Sequence, residues 1–269
     1  MLLLKLMIVP VLVALMSLAA RRFGPMVGGL LIGLPWMTGP IIFFLGQERG
    51  DGETVKLAVG AILATVSISA YALTYGRLGM TCRWPLSLSA GAAAYAAVGW
   101  ALSGVVLAPT PAALIGGGCL LATSFLIPAP RQLRPPQALP WWDIPVRMLA
   151  SAVMVTLIAL ASDLLGATAS GIAASFPVLL TVIGTFTHHQ WGSDALLALL
   201  RGITRSLQSF VMFFWVVATF VEPLGLVKSY AVATVAALCV SAALIVVTRR
   251  AAVTAVKATV METARQDVR

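Results

Sequence analysis

Long apolar runs alternate along the chain with short polar segments that carry arginine. A helix needs about 20 mostly apolar residues to cross a hydrocarbon core, with a usual range of about 17–25. Nine segments meet that rule: 2–20, 26–46, 54–76, 86–107, 111–128, 144–162, 166–187, 196–220 and 228–248. The weakest, 111–128, is short and holds Gly116-Gly117-Gly118. The pattern predicts an all-α membrane protein with about nine transmembrane helices.

Composition removes the competing classes. Of 269 residues, 60% are hydrophobic and only 10% charged, and the mean hydropathy is +0.98. Soluble domains are about 45–50% apolar and roughly 25% charged, so these charges cannot coat a water-facing surface. A soluble enzyme, a nucleic-acid-binding domain and a disordered chain are excluded. The net charge of +9 does not restore a nucleic-acid partner. The basic residues come as small clusters between apolar runs: Arg21-Arg22, Arg77 with Arg83, Arg131 with Arg134, Arg249-Arg250. Separated clusters are what the positive-inside bias produces. Cys82, Cys119 and Cys239 form no CxxC, which implies neither a disulfide framework nor a zinc site.

Nine spans with a cytoplasmic C-terminus place 21–25, 77–85, 129–143, 188–195 and 249–269 inside. Those segments hold the arginine clusters, with Arg201 and Arg205 close by. The other side keeps Lys5, Arg49, Lys56 and Lys228. The expected orientation is therefore N-out and C-in. Ser17-Leu-Ala-Ala20 resembles a signal-peptide cleavage site, but Arg21-Arg22 follows it directly, which argues for a retained first helix.

A shift of 142 residues registers the two halves without a gap. Lys5 falls on Arg147, Gly24 on Gly166, Gly29 on Gly171, Pro35 on Pro177, Phe44 on Phe186, Gly50 on Gly192 and Gly60 on Gly202. Gly and Pro matches at one offset are more specific than shared Leu or Ala. Residues 1–107 and 143–248 therefore read as two copies of a four-helix unit. Residues 108–142 supply a linking helix and a proline-rich cytoplasmic loop, and 249–269 a basic cytoplasmic tail, polar enough to leave the bilayer as a surface helix. Five spans, an odd number, precede the second copy. The copies are thus expected to be inverted in topology, as in many secondary transporters.

The stretch GGLLIGLPWMTGPIIFFLGQERG (28–50), with its looser copy GIAASFPVLLTVIGTF (171–186), resembles the GlpM family of small bacterial inner-membrane proteins. The shared features are a second helix of the type xGLxxxxP and a short loop ending in Glu48-Arg49-Gly50; the second copy, Gln190-Trp191-Gly192, keeps only the glycine. The resemblance covers about 60 residues in each half. It implies a duplicated, fused form of a four-helix protein in the bacterial inner membrane, and it brings no catalytic or ligand residue with it.

Candidate chemistry lies in two places. Segment 26–46 holds Gly28, Gly29, Gly33, Pro35, Thr38, Gly39 and Pro40, and 166–187 holds Gly166, Gly171, Ser175, Pro177, Thr181 and Thr185. Proline removes a backbone bond inside a helix, and paired interruptions in corresponding helices point to a midplane binding site. The alternative is close helix packing through the small-xxx-small patterns Gly29/Gly33 and Gly171/Ser175. The second place is a polar stripe, Arg201, Thr204, Arg205, Gln208 and Ser209, on one face of 196–220. Its counterparts Val59, Ile62, Leu63, Val66 and Ser67 are almost all apolar. Such a face suits an anionic substrate, or else Arg201 and Arg205 snorkel to the headgroups. His188-His189 with Asp194 forms no convincing metal set, and Asp163 reads as a helix cap.

The expectation is a small-solute transporter or channel, with a preference for an anion, acting between two broken helices. Pro35 and Pro177 open the backbone, Thr38, Thr181 and Thr185 offer hydroxyls, and Arg201, Arg205 and Gln208 attract charge. Partners are the bilayer and a small solute; no cofactor, metal or nucleic acid is expected. No enzyme is expected either, since the spans hold no Ser/His/Asp set, HExxH or DxD. The rival is a non-transporting membrane factor that assists a cell-envelope or lipid pathway through partner contacts.

Overall fold

The computed structural model describes residues 2–23, 35–36, 38–131, 140–164 and 175–266, with side-chain surroundings left out at 2–7, 20, 161–164 and 248–266. Among the described residues there are nine helices: α1 Leu2–Phe23, α2 Thr38–Arg49, α3 Asp51–Leu78, α4 Trp84–Leu102, α5 Pro109–Leu126, α6 Asp143–Leu164, α7 Val178–Trp191, α8 Ser193–Leu224 and α9 Leu226–Gln266. Six of them, α3, α4, α5, α6, α8 and α9, are long and apolar enough to cross a membrane. That is the architecture of a multi-pass membrane protein. The spans expected at 26–46 and 166–187 are seen only in their second parts, α2 and α7. At 12 and 14 residues these measure about 18 and 21 Å, short of the ~30 Å hydrocarbon core. Their first parts, with Gly28, Gly29, Gly33, Gly166 and Gly171, lie outside the described residues, as does most of the proline-rich loop.

Element boundaries repeat at the offset of 142. α3 starts at Asp51 and α8 at Ser193; α4 starts at Trp84 and α9 at Leu226; α2 ends at Arg49 and α7 at Trp191. Local geometry follows the same register. Gly50 joins α2 to α3 at φ 85°, ψ 177°, and Gly192 joins α7 to α8 at φ 83°, ψ −176°. Only glycine adopts this region without strain, so the Gly50/Gly192 match has a backbone cause. The Gly50 N–H donates to Gly46 O at 2.9 Å and the Gly192 N–H to His188 O at 3.1 Å, again counterpart bonds.

Packing obeys the register as well. α3 lies on its counterpart α8, and α1 on its counterpart α6. The α3–α4 contact matches α8–α9, α2–α3 matches α7–α8, and α2–α9 matches α4–α7. Both self-paired contacts are antiparallel. The last turn of α1 meets the first of α6 through Arg21 and Asp143. The end of α3, at Gly76, lies against Leu197 and Leu200 near the start of α8. α5 has no counterpart and packs on both α3 and α8. Gly116 is what allows its approach, since a Cβ there would come within 3.1 Å of the Ile62 backbone.

One departure from this pattern shapes the site. α7 rests on α1 and α6, whereas its counterpart α2 makes no comparable contact with either among the described residues. Two smaller differences concern the ends. Asp163 lies within the last turn of α6 rather than in a loop, and α9 continues as one helix through the tail to Gln266.

The paired glycines give a direct check. Gly50→Ala and Gly192→Ala should each destabilise the protein by roughly 1–2 kcal/mol in detergent, the cost of a side chain at positive φ. Gly52→Ala, a helical site with open space around it, should be neutral or stabilising. Thermal unfolding of the three variants measures this.

Candidate functional site

Each short helix follows a proline. α7 begins directly after Pro177, and α2 three residues after Pro35. Proline tolerates a helix start because its missing N–H would have no partner there. The Gly39 N–H donates to Pro35 O at 3.1 Å, and the Thr181 N–H to Pro177 O at 2.9 Å, the same bond 142 residues on.

Between these two starts lies a cavity of about 520 Å³, a size common for small-molecule sites. Four counterpart pairs contribute both members to its wall: Trp36 and Val178, Thr38 and Leu180, Ala61 and Ile203, Ile68 and Phe210. A space bounded by both members of such pairs lies on the axis that relates them. The rest of the wall is lopsided. Ile41, Leu45, Lys56, Leu57 and Ala64 line the cavity toward the Gly50 end. Their counterparts Ile183, Thr187, Ala198, Leu199 and Ser206 are at most 4% exposed. The cavity therefore runs from the axis toward one end, and the equivalent space toward the other end is filled.

The cavity wall is mostly apolar. Its polar groups among the described residues are the hydroxyls of Thr38 and Ser175, the Trp36 indole and Lys56, whose ammonium pairs with Glu53 at 3.5 Å. A bare ion placed deep in this space would lose its water and find few polar partners among the described residues, a cost of several kcal/mol. The arrangement suits a solute with an apolar body.

The closed end is built from aromatic packing and one charge cluster. The Thr181 hydroxyl donates to Tyr71 OH at 3.2 Å, and Tyr71 stands edge-on to Tyr75 and Phe176. Tyr95 closes against Phe176 at 5.3 Å. The counterpart of Tyr95 is Ala237, and there a groove of about 470 Å³ opens between α2 and α9, lined by Pro35, Phe43, Phe213 and Tyr230. His188 lies against the Tyr75 ring, and His189 near Trp84. Asp194 accepts the Arg131 N–H at 2.9 Å and tethers the loop after α5 to the start of α8.

The residues expected to form one site are distributed over several. Thr38 and Pro177 line the axial cavity, while Pro35 lines the α2–α9 groove. Thr181 is buried against Tyr71, and the Thr185 hydroxyl is buried beside Tyr75. Arg201 donates to Ile127 O at 2.6 Å and Gln208 to Gly117 O at 2.9 Å, so both fasten the linking segment to α8. Arg205 is half-buried on the same face. Arg201, Arg205 and Gln208 do not line the axial cavity.

The charge cluster joins Asp143 of the linker segment and Arg21 of a positive-inside pair to Arg147 at the head of a span. Asp143, the fully buried first residue of α6, accepts from Arg147 Nε at 2.8 Å, from Arg21 and from Gln190. Arg147, 2% exposed, also donates to Gln190 Oε1 at 2.6 Å and to Ser17 Oγ at 3.5 Å, and stacks 4.8 Å from the Phe186 ring centroid. The sequence signal was an Asp and an Arg four residues apart at the head of a span, with Arg147 in register with Lys5.

No family model, no curated protein and no solved structure matches this chain.

Arg147→Leu should cost about 3–5 kcal/mol, because it leaves buried polar partners of Asp143 and Gln190 uncompensated. Gln208→Leu, which removes one neutral hydrogen bond to α5, should cost only about 1 kcal/mol. Thermal unfolding of the two variants in the same detergent measures the gap.

Proposed function

We propose that the protein is a membrane transporter built from two inverted-topology four-helix repeats, which carries a small solute with an apolar body through the axial cavity. The observation that carries this reading is the cavity itself, bounded by both members of four counterpart pairs and extended toward one end among the described residues. Alternating access needs a central site, two related half-structures and a difference between their two ends. The repeated helix boundaries and the antiparallel packing of α1 on α6 and α3 on α8 support the inverted relation. The GlpM-like resemblance, a place in the bacterial inner membrane, an N-out/C-in orientation and the absence of enzymatic chemistry belong to the same proposal.

The expected anion preference takes a different form here. Arg201 lies off the cavity wall with one N–H on Ile127 O, and Lys56 is the cation on that wall among the described residues. An anionic end of the solute would therefore meet Lys56 at the open end rather than the arginine stripe. The rival, a partner-binding membrane factor, is favoured by one feature, the aromatic groove between α2 and α9.

Flux in proteoliposomes tests the reading, with linear monocarboxylates of increasing chain length set against inorganic anions. Transport should rise with apolar size, and Ala64→Trp, which fills the cavity, should reduce it by about tenfold or more. Arg201→Gln should leave it nearly unchanged. Equal flux of inorganic anions, or an Ala64→Trp variant as active as the parent, counts against the axial site. Unaltered flux in Pro35→Ala with Pro177→Ala would remove the broken-helix mechanism.

A further inference from the structure

We infer that the buried cluster of Asp143, Arg147, Arg21 and Gln190 is the latch that holds the filled end of the axial cavity shut, and that its release exchanges the open end for the closed one. The inference rests on the transport reading above and adds the device that controls access to its site.

The cluster joins the two copies. Ser17 and Arg21 come from α1 in the first copy, Asp143 and Arg147 from α6 in the second, and Gln190 from the last turn of α7. These bonds accompany the packing of α7 on α1 and α6, the contacts that α2 lacks. With α7 drawn in, Thr187 and Ile183 are buried, and so are Ser151 of α6 and Ser206 of α8, the positions where a second cavity would lie.

The counterpart positions at the other end show the released arrangement. Phe44, counterpart of Phe186, is 49% exposed, where Phe186 is covered by the Arg147 guanidinium. Glu48, counterpart of Gln190, is exposed. α2 touches neither α1 nor α6 to a comparable degree, and the cavity is open beside it.

The chemistry suits a switch. The Asp143 carboxylate takes three hydrogen bonds, from two guanidinium groups and an amide, so its charge is compensated, while the buried Arg21 Nε has no partner among the described residues. A satisfied buried network is stable, but loss of one member leaves the others without partners. Two arrangements of this kind differ discretely, not gradually. The counterparts of Arg147, Gln190 and Arg21 in sequence are Lys5, Glu48 and Asp163, which again include both signs.

Labelling of single cysteines with a membrane-impermeant maleimide, on a chain whose Cys82, Cys119 and Cys239 are replaced by Ser, tests the latch in proteoliposomes. The reporters are Ala64→Cys at the open end and its counterpart Ser206→Cys at the closed end. With the latch intact, Ala64→Cys should react rapidly and Ser206→Cys slowly. Asp143→Asn should raise the Ser206→Cys rate by about tenfold or more and lower the Ala64→Cys rate by the smaller fold that the loss of the major population sets. Gln190→Leu, a milder change, should move both rates in the same directions if Asp143→Asn does not fold, and Asp143→Glu should retain the parent pattern. Unchanged rates in the folded variants would overturn the latch. So would a rise at both reporters, which means local loosening without exchange. Flux that survives alongside either result leaves the transport reading standing and the latch refuted; absence of both flux and reporter exchange refutes the two together.

Discussion

The antiparallel contact of α3 with α8 is what the rest of the architecture depends on. In a hydrocarbon solvent, apolar side chains gain little by hiding from lipid, so helices associate through close packing and small residues. Gly76 against Leu197 and Leu200, and Gly116 against Ile62 and Thr65, are two places where such packing is close around this pair. α2, α4 and α5 pack on α3, while α7, α9 and again α5 pack on α8. The shorter helices borrow their support from these neighbours. α2 and α7 are too short to span alone, and their proline-bearing starts are placed against the central pair.

Around this near-symmetric core, a few side chains break the symmetry. Tyr95 fills a space that Ala237 leaves as a groove. Tyr71 receives a hydrogen bond from the Thr181 hydroxyl, where the counterparts Phe213 and Gly39 can make none. The Asp143 cluster draws α7 onto α1 and α6, where α2 stays apart. The axial cavity follows from these differences: it opens where α2 is unfastened and is filled where α7 is held. A solute that prefers one arrangement over the other would shift their balance by its differential affinity alone.

Features set by local backbone constraints were legible in the sequence. Gly50 and Gly192 match because both sit at a φ and ψ that only glycine takes, and Pro35 and Pro177 match because both open a helix. The polar stripe was legible as a face, but what that face meets depends on α5, whose carbonyls at Gly117 and Ile127 lie far off in sequence. Arg201 and Gln208 therefore read as ligand groups when they hold the linking segment. Asp143 was harder still, since its partners Arg21 and Gln190 lie 122 and 47 residues away. Arg21 also fits the positive-inside pattern, which hides its second role. The apolar character of the cavity was not visible, because Ile41, Leu57 and Ile68 look like any lipid-facing residues until the fold brings them together.

The central claim is that the two halves are inverted copies, and the sidedness of one counterpart pair tests it most directly. Gln47 and His189 are 142 residues apart, and both are exposed at the ends of α2 and α7. Gln47→Cys and His189→Cys, each as the single cysteine, can be labelled from either face of sealed membrane vesicles with an impermeant reagent. Inverted copies react on opposite faces, Gln47 from outside and His189 from the cytoplasm. Reaction of both from the same face would contradict it.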